Sequence, residues 1–141
     1  MIEPRKYLVL APALLWLLVV ALMIQDWISD PSNPALRGTS AYGHNQPGAL
    51  SQGVLWSTIE LAVIYALLLP RQFGPLLGRA VMAFSAFVAW TLLNVLAIMH
   101  SGGVLFLHAL WLIIVCMGLL GLVLVSVAQW AAKTIEKRAA A

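Results

Sequence analysis

Four residues pair useful chemistry with an apolar setting: Glu60, Asn94, His100 and His108. Glu60 is the acid placed inside a long apolar run, and the two histidines flank the start of another. A carboxylate and an imidazole can pass a proton between them, grip the headgroup of a quinol or another small ligand, or ligate zinc, iron or copper. His44, in a polar stretch upstream, could join Glu60, His100 and His108 as a further metal ligand. The spacing of His100 and His108 straddles a turn and matches no strict metal motif. Haem held by two histidines fits less well, because both lie near the surface on one hairpin. Hydrolysis has little support: the chain has no GxSxG, no HExxH and no Gly-rich phosphate loop after a strand.

An ionised side chain inside a bilayer costs several kcal/mol unless it is paired, neutralised or able to snorkel. The short stem of Glu60 cannot snorkel far, so it is expected to face other helices and to find a polar partner. His108 is the first candidate and Asn94 the second. Two roles then compete. In one, Glu60, Asn94 and His108 form an interhelical hydrogen-bond knot, each contact worth on average about 0.6 kcal/mol. Glu60→Gln would then be tolerated, since an amide both donates and accepts. In the other, Glu60, Asn94, His100 and His108 make a proton, redox or ligand site, and the same change abolishes activity with the fold intact.

The elements that must position these residues are helices in lipid. The chain has 141 residues, 62% hydrophobic and 9% charged. A soluble domain carries about 25% charged residues, so this composition points to an integral membrane protein of one domain. Four apolar runs predict membrane helices over about residues 5–28, 53–69, 78–99 and 104–130, each near the roughly 20 residues that a crossing requires. The first is expected to be a retained helix rather than a signal peptide, because no A-x-A-like site follows it. Pro4 suits its first position and Pro12 is expected to kink it. The link His100-Ser101-Gly102-Gly103 predicts a tight hairpin, with Gly102 or Gly103 at positive φ. Lys133 to Ala141 reads as a frayed helical extension.

Residues 29–52 form a polar loop broken by Pro31, Pro34, Pro47, Gly38, Gly43 and Gly48, a linker or a partner-binding lid. Small residues recur at helical spacing in three runs: Ala62 and Ala66, Ser85 and Ala89, Gly118 and Gly121. Such residues let helices approach closely in lipid. The lone Cys116 allows no disulfide within the chain and no CxxC pair, and reads as a buried thiol.

Of the eight basic residues, all but Arg37 lie at one set of alternating helix ends. By the positive-inside rule both termini are cytoplasmic, and the loop 29–52 faces outward. Glu60, Asn94 and His108 then lie roughly 6 to 10 Å deep from the outer face at 1.5 Å per residue. The expected fold is an all-α four-helix transmembrane bundle, up-down-up-down, in a bacterial inner (plasma) membrane. No nucleic-acid motif is present. The leading function is a non-catalytic subunit or accessory protein of a larger membrane complex, or a homo-oligomer, with lipid as its solvent. The alternative is the redox, proton-relay or ligand/metal site, with a quinone or a metal ion as its cofactor.

Overall fold

The structure, a computed structural model, describes residues 4–29, 45, 48–98 and 103–139. Its elements are helices: α1 (Pro4–Ser29), α2 (Ala49–Leu68), a short 3₁₀ turn (Arg71–Phe73), α3 (Leu76–Ile98) and α4 (Gly103–Ala139). All four α-helices are long and apolar enough to cross a membrane. His44, His100, Ser101 and Gly102 lie outside the described residues, as do residues 30–44, 46 and 47 of the stretch expected as a loop.

Each boundary has a local cause. α1 starts on Pro4 and continues through Pro12. The Pro12 ring leaves a backbone carbonyl of the preceding turn without its helical donor, and beside that gap the Tyr65 hydroxyl donates to the Val9 carbonyl at 2.6 Å. α2 begins at Ala49, earlier than the expected residue 53, behind Gly48 at φ 78°. It ends against Pro70. At that end the carbonyls of Leu68 and Pro70 accept from Arg79 Nη1, the second at 3.1 Å. Arg79 is therefore a buried residue of α3 that stitches the α2–α3 corner. Gly103 takes φ +54° at the start of α4, as expected for Gly102 or Gly103, while the tight link itself lies outside the described residues. α4 runs on to Ala139, past the expected end near residue 130. At 1.5 Å per residue its 37 residues measure roughly 55 Å, against a hydrocarbon core of about 30 Å.

The first turns of α4 form the centre. Residues 103–105, 107–109, 111 and 112 are all buried, almost all round the helix, because α1, α2 and α3 each pack on it. Further along, burial narrows to a stripe at Val115, Leu119 and Ser126. The core is filled by Met23, Ile64, Ala83, Phe87, Val104, Trp111 and Leu112. At Gly53 α2 packs tightly on α4 and α1: a Cβ there would meet Val104 Cγ1 at 2.9 Å and Met23 Sδ at 3.4 Å.

The small-residue pairs lie elsewhere. Ala62, Ala66, Ser85, Ala89, Gly118 and Gly121 are all exposed on the bundle surface. Close packing inside the chain is made instead by Ala49, Gly53, Ala80, Ala83 and Ala109. Spacing alone shows that two small residues share a face, and carries no information on which face turns inward.

Candidate functional site

Glu60 sits in the middle of α2, 4% exposed. Its Oε1 accepts from Trp90 Nε1 at 2.7 Å, and its Oε2 accepts from Trp111 Nε1 at 2.9 Å. His108 Nε2 lies 3.1 Å from Oε1 and 3.0 Å from Oε2, bridging both oxygens. One carboxyl group therefore joins α2 to α3 through Trp90 and to α4 through His108 and Trp111. His108 and Trp111 are three apart on α4 and so share a face.

The donor types limit the chemistry. An indole N–H can only donate, so both carboxyl oxygens serve as acceptors. With Nε2 protonated, His108 supplies a third N–H to the same group, and the cluster reads as a carboxylate inside a cage of donors. Hydrogen bonds to a charged group contribute about 1.5–3 kcal/mol each. A neutral amide cannot replace this acceptor. In Glu60→Gln, one indole N–H would face an NH₂ group, donor against donor. The expectation that a structural Glu60 tolerates glutamine is thereby revised, because sequence gave no sight of two donor-only partners.

Asn94 does not join Glu60 among the described residues. Its Nδ2 donates to the Trp90 carbonyl on its own helix at 2.8 Å. It steadies the turn that carries Trp90, and so acts on Glu60 at one remove. His100 and His44 lie outside the described residues. Among the described residues no three of His, Cys, Asp and Glu gather as a metal site. Cys116 is half-buried, its Sγ 3.3 Å from Thr91 Oγ1.

Beside the cluster a cleft of about 260 Å³ opens between α2 and α3, lined by Trp56, Ile59, Glu60, Val63, Phe87 and Trp90 among others. The Trp56 and Trp90 rings face each other obliquely, 5.7 Å apart and tilted by 44°, an arrangement that aromatic quadrupoles favour over flat stacking. A flat or cationic headgroup in that cleft would lie against aromatic faces, with the carboxyl group behind them.

A second polar cluster sits at the start of α4. Asn45 Nδ2 donates to Asp26 Oδ2 at 2.9 Å, and Asn45 Oδ1 accepts from the Val104 amide at 2.6 Å. Asn45 thereby caps α4 from a distant part of the chain and ties it to the end of α1, where Asp26 is buried. Any side chain on Gly103 would collide with Asn45. A third link joins α1 and α2: Trp16 Nε1 donates to Ser57 Oγ at 3.2 Å.

Trp90, Trp111, Asp26 and Asn45 are the residues that sequence reasoning missed. An asparagine in a polar stretch looks like any other, so Asn45 carried no signal. Trp111 did: a tryptophan mid-run, far from an interface, needs somewhere to place its N–H.

No family model matches the chain, and no curated protein or solved structure matches it.

Proposed function

We propose that this chain is a small polytopic membrane protein that works by helix docking, as a non-catalytic subunit or accessory protein of a larger membrane complex or of its own oligomer. The observation that supports this reading is the outward placement of Ala62 and Ala66 on α2 and of Ser85 and Ala89 on α3. In lipid, small residues earn no hydrophobic gain, and their use is to let another helix come close. Glu60 fits the same reading, since its hydrogen bonds knit three helices of this chain together. In this proposal the bundle runs up-down-up-down in a bacterial inner membrane with both termini cytoplasmic. Tyr7, Leu68, Leu76 and Gln129, from alternating helix ends, line one cavity, as that topology requires.

Cysteine placed at Ala66 or Ala89, with Cys116→Ala to remove the native thiol, tests docking by bifunctional maleimide cross-linking in native membranes. The expected product is a discrete larger species from these positions and none from a cysteine at Leu14, which is exposed on α1, a helix that carries neither pair. Enlarging the other member of each pair, Ala62→Leu or Ser85→Leu, should abolish it. A chain that gives no position-dependent product would sink the proposal.

The cleft beside Glu60 favours a second reading, a ligand or proton site built on Glu60, His108 and Trp90. An absorption and metal-content scan of protein purified in mild detergent separates the two.

A further inference from the structure

A second cavity lies away from Glu60, between α1 and α4, with Ile64 and Leu68 of α2 and Leu76 of α3 also in its lining. It measures about 700 Å³ and is lined chiefly by aliphatic side chains, with Gly118 and Gly121 in its wall. Along α4 it runs from Ile114 to Gln129, roughly 22 Å at 1.5 Å per residue. That is the depth of one leaflet, about half of 30 Å, plus part of its interface. The slot has the proportions of a single hydrocarbon chain.

Its polar features lie toward one end. Ser126 lines it, is 7% exposed and makes no side-chain hydrogen bond with a described residue. Gln129 and Tyr7 close that end. The α4 stripe that passes Gln129 continues at four-residue spacing to Lys133 and Lys137, both exposed, with Glu136 the acid beside them. Arg5 and Lys6 occupy the first turn of α1 next to Tyr7. Charge at this end is thus strongly basic. Ser126 sits one turn deeper than Gln129, roughly 4.5 Å toward the middle of the helix, at the level where a lipid ester would follow its phosphate.

We propose that this slot seats one acyl chain of an anionic phospholipid, with the phosphate among the lysines beyond Gln129 and an ester oxygen on Ser126. Glycine at 118 and 121 keeps the slot open: a Cβ at either position would meet nothing within 4 Å, so neither glycine is needed for contact within the chain. The proposal stands apart from helix docking, which rests on α2 and α3.

Delipidated protein in mild detergent is offered dioleoylphosphatidylglycerol or dioleoylphosphatidylcholine at equal concentration and read by native mass spectrometry. The expected result is a single retained phosphatidylglycerol, held several-fold better than phosphatidylcholine. Gly118→Leu with Gly121→Leu should cut that retention several-fold at unchanged helicity. Should the leucine pair impair folding, Lys133→Gln with Lys137→Gln leaves the bundle untouched and should erase the preference for the anionic lipid, and Ser126→Ala should weaken retention of both lipids. Equal retention of the two lipids by the native chain would overturn the proposal. So would indifference to these substitutions, or a slot occupied by a second copy, seen as a dimer that the leucine pair dissociates.

Discussion

Glu60 is held by groups that cannot reverse their roles. Trp90 and Trp111 donate to opposite oxygens, and His108 bridges them. Replacing one carboxyl oxygen by an NH₂ group of the same shape therefore leaves a donor without an acceptor, at about 1–3 kcal/mol for a buried group. We predict that Glu60→Gln lowers the melting temperature in detergent, and that Trp111→Phe does so by a comparable amount, since it strips one bond from the carboxyl group. Because the two changes act on one contact, the double variant should lose less than the sum of the singles. A Glu60→Gln protein that melts like the native one would show that the indole bonds contribute nothing to stability.

At the scale of elements, the glycines divide by what surrounds them. Gly53 lies against Val104 and Met23 where α2 crosses α4, whereas Gly118 opens into the cavity. Gly53→Ala should cost about 1–3 kcal/mol through overpacking. Gly118→Ala should be neutral or stabilising by up to about 1 kcal/mol, as helix propensity alone dictates. Thermal melts of the two variants in the same detergent would refute the packing picture if the order were reversed. The start of α4 depends on a remote cap, because Val104 donates its amide to Asn45. Asn45→Ala should cost about 1 kcal/mol and speed hydrogen exchange at the Val104 amide, with amides near the middle of α4 unaffected. Uniform exchange along α4 in both proteins would mean that Asn45 does not cap it.

At the scale of the whole molecule, orientation rests on charge. Arg79 is buried on the carbonyls of Leu68 and Pro70, so it serves the corner as well as the membrane. Arg5, Lys6, Arg71, Lys133, Lys137 and Arg138 remain as the topological signal. In the proposed arrangement the end of α4 beyond Trp130 extends past the bilayer, since its 37 residues measure roughly 55 Å against a hydrocarbon core of about 30 Å. We predict that a reporter fused at Ala141 is active only as a cytoplasmic probe, and that one inserted near Gly43 is active only on the outer side. The opposite pattern would reverse the orientation and move the proposed lipid site to the other leaflet.

The sequence by itself determined the four apolar helices, because lipid forces every backbone polar group to be bonded within its own segment and so makes length and hydropathy decisive. It also determined that Glu60 would be buried with a polar partner, since no lipid-facing alternative is affordable for so short a side chain. His108 stood first among its expected partners, and the structure brings the two together. The tertiary structure alone decided the rest. The two indoles that complete the cage belong to residues usually read as apolar bulk, and the Asn45 cap joins positions 59 residues apart, a separation at which sequence carries no periodic signal. Which face of each helix turns inward was equally hidden. In lipid the outer faces of a bundle are as apolar as its core, so the hydrophobic periodicity that orients a helix in water is missing here.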